Sequence, residues 1–235
     1  VYRPYIASGY KGDAPTLTNL QAEIKRQPEP EAQELALAAE LFISGSLSIF
    51  AQKTNVDQNN RLTSYNILDL GEQLLPMGML VILESIYNRV IQNWRAGRRT
   101  WVFVDEFSIF FRYPFATNFF LRMWKQVRKR AGYMTGITQN VGEMLTSKDA
   151  CWMLANSEFL IMLSQSASDR AALAELLNIS DTQLSYVENA DPGCGLMKFG
   201  GAFIPFVNSF PEDTELYKLM TTKPADREQV KPHGV

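Results

Sequence analysis

The apolar positions fall into two regimes that meet near residue 61. From Pro15 to Phe50 they keep helical spacing: Leu35, Leu37, Leu41 and Phe42 lie near one stripe, and Ala36, Ala38 and Ala39 favour helix. Residues 1–14 are polar and predict a loop. Pro15 opens the first helix, with Thr16 or Thr18 as its cap. The two prolines of Gln27–Gln33 break the pattern, and Gly45 ends the second helix. From residue 61 apolar runs and helical stripes alternate. Arg61–Leu70 predicts a strand. A long helix follows, with Leu75, Met79, Ile82, Ile86, Val90 and Trp94 on its buried stripe and Arg95–Arg99 at its carboxyl end. Trp101–Phe107 predicts a buried strand, residues 116–131 a helix, Tyr133–Gln139 a strand and Gly142–Ala155 a helix. Glu158–Leu163 predicts another strand. Ser168–Asn178 predicts a helix capped by Ser168, and a short helix begins near Ser180. GLMKFG and AFIPFV, separated by Gly200 and Gly201, predict a β-hairpin. Asp213–Met220 predicts a last helix, and the tail from Thr221 should fray.

Strands alternating with helices imply an α/β fold whose parallel sheet is covered on both faces. Ligands of such sheets sit at the carboxyl ends of the strands. Three segments follow: residues 1–60 as a helical subdomain with its leading loop, 61–222 as the α/β core, and 223–235 as a tail. At about 150 residues per domain, 235 residues suit one large domain with an appendage.

Composition narrows the function. Hydrophobic residues are 46% and charged residues 20%, which excludes a mostly disordered chain. Lys plus Arg is 23 and Asp plus Glu is 25, a net charge of -2 that argues against a global polyanion binder while leaving a local basic patch open. Cys151 and Cys194 suit a reducing compartment, and no CxxC pair suggests zinc. Cys151 sits in an apolar context and Cys194 between glycines in a predicted turn. The one histidine, His233, lies in the tail and leaves His-based triads without a member. No segment reads as a membrane span: the candidate from Leu74 to Trp94 carries Glu84 and Arg89. The polar start is no signal peptide, and a first residue of Val points to a processed or truncated chain.

The sharpest chemical signal is WVFVDEF. Four apolar residues ending in Asp105 and Glu106 form a Walker B pattern, with one carboxylate able to hold Mg²⁺ and the next to take a proton from water. The plainer alternative is two solvated acids at a strand end. GITQN offers Gln139 as an amide reaching a phosphate or the attacking water, against Thr138 or Asn140 merely capping the next helix. Arg122, Lys125, Arg128, Lys129 and Arg130 crowd one segment. They are a solvated basic face, arginines reaching phosphate, or a nucleic-acid track. The last is weakest, because no stacking aromatics interleave them. Arg170 opposes a helix dipole near an amino terminus, a small conflict that hints at function. Neither GxxxxGK[ST] nor GxGxxG occurs in the chain.

In order, GSLSIF, NVDQNNRLTSYNILDLGEQL, WVFVDEF, WKQVRKRAGYMTGITQNVGEML, NSEFLIMLSQSASDRAALAELLNIS and FPEDTELYKLMTTKP resemble the carboxyl-terminal half of the ATPase domain of conjugation and type IV secretion ATPases, the TraC, TrbE and VirB class. The resemblance runs from about Pro15 to Pro224. It implies a partial RecA-like P-loop NTPase core, lacking the P-loop strand, with an amino-terminal helical subdomain and a carboxyl-terminal β-hairpin. It implies ATP and Mg²⁺ as cofactors of the intact parent, with Asp105 holding Mg²⁺ through water, Glu106 polarising the attacking water and Gln139 sensing the γ-phosphate. Arg128, Arg130 or Arg170 would be the arginine finger. Further implications are a hexameric ring, contacts with secretion-channel proteins, a cytoplasmic site peripheral to the membrane, and no direct nucleic-acid contact by this chain. Missing the P-loop half, the sheet should show unpaired edges or bare apolar faces. A nucleotide-free docking module and a DNA-translocating ring motor are the alternatives.

Overall fold

Every helix proposed between residues 15 and 220 forms in some version, and the differences are informative. The computed structural model describes residues 1–45, 47–55, 60–139 and 141–221. Backbone contacts divide the chain into two units, Val1–Met79 and Leu80–Val235.

The first unit is helical. Tyr2–Ala7 forms a short helix (α1) where a loop was expected. Helix α2 (Leu17–Lys25) starts at Thr16, whose backbone N–H and hydroxyl both donate to Asn19 Oδ1. Helix α3 (Pro30–Ala39) begins with proline, whose fixed φ suits a first turn. The two pack through Gln21, which is buried and donates to Ala36 O at 2.8 Å and to Glu40 Oε2 at 2.6 Å. Arg61–Leu70 is not a strand; only Leu68–Leu70 is regular, as a 3₁₀ turn. Leu62 is 90% exposed. A β-strand needs a backbone partner, and the described residues of this unit are otherwise helices and loops.

Helix α4 (Gly71–Arg95) joins the units. Its best 18-residue window has a mean hydropathy of 1.4, long and apolar enough to cross a membrane by length and composition, because Glu84 and Arg89 lower the average too little. Met79, Leu83 and Val90 of this helix are buried. Trp94, expected on the same buried stripe, is 48% exposed because the helix runs out past the core in its last turn.

In the second unit, β1 (Thr100–Val104), α5 (Pro114–Gln126) and β2 (Gly132–Gly136) make one parallel crossover, with Thr100 opposite Gly132 and Val104 opposite Gly136. Val102 and Val104 face a core of Leu83, Val90, Phe107, Phe120 and Met123. The opposite face carries Trp101, Phe103 and Tyr133, all exposed. Among the described residues this parallel sheet has two strands and is covered on one face, not both. Helices α6 (Val141–Leu145) and α7 (Lys148–Ala155) replace the single helix expected there, because Ser147 caps a new start.

Strand β3 (Phe159–Met162) does not extend the parallel sheet. It pairs antiparallel with the hairpin of β4 (Cys194–Phe199) and β5 (Ala202–Val207), in the order β3-β4-β5. Cys194 therefore opens a strand rather than sitting in a turn. Gly195 permits the pairing: a Cβ there would lie 2.2 Å from Met162 O. Helix α8 (Ala167–Leu177) is capped two residues earlier than expected: Ser166 rather than Ser168 is the cap, accepting from Asp169 N. Helix α9 (Asp181–Leu184) and the core of Met162, Leu173, Leu177, Val187 and Leu196 complete this half. Helix α10 (Glu215–Met220) follows the hairpin. Of the tail expected to fray from Thr221, residues 222–235 lie outside the described residues, as does Asn140; Thr221 itself is buried and donates its N–H to Tyr217 O at 2.8 Å.

Candidate functional site at the carboxyl ends of the parallel strands

The parallel pairing brings the ends of β1 and β2 to one edge. Two backbone bonds carry the ladder past the strands: Ile137 N donates to Val104 O, and Phe107 N to Ile137 O, both at 2.8 Å. Asp105 and Glu106 must turn between those bonds. Glu106 does so in the left-handed region, at φ 47° and ψ 47°. A non-glycine residue pays strain of about 1–2 kcal/mol there, which surrounding structure must offset. Phe107 supplies the anchor. It is 2% exposed, stacks on Trp124 at 5.6 Å and meets Phe120 edge-on at 4.9 Å. Gly136 makes room for it, since a Cβ would approach Phe107 Cδ1 to 2.4 Å.

This turn aims Glu106 at the neighbouring strand's end. Gln139 Nε2 donates to Glu106 Oε1 at 3.2 Å. Glu106 N donates to Asp105 Oδ1 at 3.0 Å. Thus three of the sequence-derived residues share one edge: an exposed Asp105, a half-buried Glu106 and an exposed Gln139. Among the described residues no three His, Cys, Asp or Glu cluster as a metal site. Two adjacent hard-oxygen carboxylates without a cationic partner do fit Mg²⁺, which is held by one or two carboxylates when phosphate and water complete its shell.

No protein-family profile and no curated protein sequence matches the chain. A solved structure does: VirB4 of Thermoanaerobacter pseudethanolicus, at TM-score 0.70 and 23% identity, over 89% of this chain and 62% of the VirB4 chain. The chain has the VirB4 fold. It spans 62% of the length of that VirB4 chain.

Among the described residues no hydrogen bond or ion pair joins the three arginines to the acidic edge. Arg128 is exposed, in the 3₁₀ turn Val127–Arg130 that leads into β2 and so stands at the opposite end of the strand from Gln139. Arg130 shares that turn, donates to Gln126 Oε1 at 3.2 Å and lies 5.6 Å from the Tyr87 ring centre. Arg170, on α8, pairs with Glu188 at 2.7 Å and donates to Gln165 O at 3.3 Å. Its side chain is 18% exposed, so the unfavourable charge near a helix start is answered by a local carboxylate.

Two features near the edge were not read from the sequence. Arg112, at the end of the 3₁₀ turn after Glu106, donates through Nε and Nη2 to Glu143 Oε1, at 2.8 and 2.6 Å. This ties the loop after β1 to α6, the helix after β2. Ser108 is buried with no hydrogen-bond partner for its hydroxyl among the described residues. A pairing 31 residues apart leaves no local pattern to read; the αL turn had a faint one, a strand ending abruptly in two acids.

Proposed function

We propose that this chain is the carboxyl-terminal part of a type IV secretion or conjugation ATPase, and that its second unit is the corresponding half of a RecA-like core. The Gln139–Glu106 contact across parallel strand ends, in a chain of VirB4 fold, carries the reading. Asp105 would hold Mg²⁺ through water, and Glu106 would orient and accept a proton from the attacking water. Gln139, already bonded to Glu106, would exchange that contact for the γ-phosphate and so report nucleotide to the base. Bound Mg²⁺ would neutralise charge on the β- and γ-phosphate oxygens. The cradle for those phosphates would come from outside these 235 residues, which hold no GxxxxGK[ST]. An arginine finger would come from Arg128, Arg130 or Arg170, with an effect of about 10³–10⁵ in rate. The same reading carries with it a ring of copies, hexameric in the intact parent, at the cytoplasmic face of a secretion channel and in contact with channel proteins.

The test is ATP turnover by the intact parent and its Glu106→Gln variant. Turnover should fall about 10²- to 10⁴-fold while nucleotide still binds. Equal turnover would remove Glu106 from the mechanism. The bare face of Trp101, Phe103 and Tyr133 favours one second reading, a docking module that holds no nucleotide. That reading predicts no ATP affinity even in the intact parent.

A further inference from the structure

Arg112 is the one Lys or Arg between Arg99 and Arg122, and it follows the acidic pair closely. It closes the 3₁₀ turn Phe107–Arg112, which begins directly after Glu106. Local attraction alone would turn it back on the two acids. Instead its Nε and Nη2 both donate to Glu143 Oε1, at 2.8 and 2.6 Å, across 31 positions. Two donors of one planar guanidinium fix the direction of the contact as well as its length, which the point charge of a lysine does not.

Glu143 lies one helical turn after Gln139 in sequence, on α6. The chain leaving β2 is therefore tied on both sides of Gln139. Before it, Ile137 N donates to Val104 O and Ile137 O accepts from Phe107 N, both at 2.8 Å. After it, Glu143 accepts from Arg112. Between these ties the Gln139 amide donates to Glu106 Oε1 at 3.2 Å. A wall stands on another side of α6: a Cβ on Gly142 would lie 3.0 Å from Asp169 Oδ1, at the start of α8. The Arg112 side chain is 62% exposed and that of Glu143 34%, so the pair adds little to global stability. Its effect is local. A bias of about 2- to 5-fold among positions of a short connection is enough to decide where one amide points.

We infer that Arg112 and Glu143 are positioning residues for Gln139: the pair holds α6 against the turn after β1 and so keeps the Gln139 amide at the Glu106 carboxylate. What Gln139 does there rests on the ATPase reading; the clamp itself does not. Engaged with Glu143, the Arg112 guanidinium makes no ion pair with Asp105 or Glu106 among the described residues, which leaves both carboxylates to a cation and a water.

The experiment has two arms. In the 235-residue chain, amide hydrogen exchange of the peptide spanning residues 137–145 is followed by mass spectrometry. Arg112→Ala and Glu143→Ala should each speed it about 2- to 5-fold. Lys53→Ala, which removes an exposed ion pair of the first unit, should leave it unchanged. In the intact parent, Arg112→Ala and Glu143→Ala should each lower kcat about 3- to 10-fold and leave the KM for ATP within about twofold. The exchanged pair, Arg112→Glu with Glu143→Arg, should recover most of kcat, which separates the contact from the loss of either side chain. In a Gln139→Ala background, Arg112→Ala should change kcat by less than about 1.5-fold, because the clamp acts through that amide. Full multiplication of the two effects would overturn the inference, as would unchanged exchange and kcat in both single variants. A loss of kcat in Arg112→Ala that Glu143→Ala does not share would overturn it in favour of an arginine that touches phosphate directly. Unchanged turnover in Glu106→Gln removes the ATPase reading while the exchange arm still tests the clamp, so the two fail separately.

Discussion

Glu106 occupies a backbone conformation that glycine prefers, and its side chain is what the strain delivers. The αL turn lets the carboxylate reach Gln139 while Phe107 stays anchored between Phe120 and Trp124. Glu106→Gly should therefore raise stability by about 0.5–1 kcal/mol even though it deletes the proposed base. Ala131, at φ 51° and outside the acidic edge, is the control: Ala131→Gly should stabilise by a similar amount. Urea denaturation of both variants measures this. A loss of stability in Glu106→Gly alone would mean that the Gln139 contact outweighs the backbone strain. The acidic pair and the amide were visible in the sequence because they follow apolar strands. Their contact was not, since it depends on the two strands lying parallel and in register.

The α2–α3 pairing and the β3–β4 pairing show how neighbouring elements settle what local pattern leaves open. Gln21 is a polar residue on a helix face, ordinarily exposed, yet it is buried because Ala36 O and Glu40 satisfy its amide. The Gln21 amide, then the Lys25 ammonium and the Ser44 hydroxyl, hold the Glu40 carboxyl below the usual carboxylate range. A depressed folded-state pKa gives stability that is present above the unfolded value and lost as pH falls through the folded one. The melting temperature should thus drop below about pH 4, and the drop should be smaller in Glu40→Gln, measured by circular dichroism between pH 7 and 3. An equal drop in both would assign the acid transition to other carboxylates. Strand β3 shows the complementary limit. Its apolar run identified a strand, but the hairpin rather than β2 took its backbone bonds.

Taken as one body, the second unit leaves apolar surface in water that a closed domain would cover. Phe103 is 67% exposed, Trp101 55% and Tyr133 45%, and Trp101 stacks on Tyr133 at 5.1 Å across the strands. Exposed contiguous aromatics of this kind mark a face that packs against something else. The ATPase reading assigns that covering to the rest of the core, and the sequence resemblance led to the same expectation of bare faces. The 235-residue chain alone should self-associate at micromolar concentration, and Trp101→Lys with Phe103→Lys should make it monomeric in analytical ultracentrifugation. A monomeric unsubstituted chain would show that this face tolerates water.

Local chemistry determined much of this protein. The apolar run before Asp105 and Glu106, the run before Gln139, the glycine-linked hairpin and helices α2 and α3 form where spacing and turn residues put them, because burial and backbone geometry act within a few residues. Tertiary structure decided the rest. Arg61–Leu70 has a strand's composition and joins no sheet among the described residues. Arg170 meets Glu188 across 18 positions, and Arg112 meets Glu143 across 31. Trp94 lies on a helical stripe with Val90, yet only Val90 is buried, because the core ends before the helix does. Periodicity tells which residues seek cover. Backbone hydrogen bonds are alike for every strand and charges pair at any separation, so only the assembled fold selects who provides it.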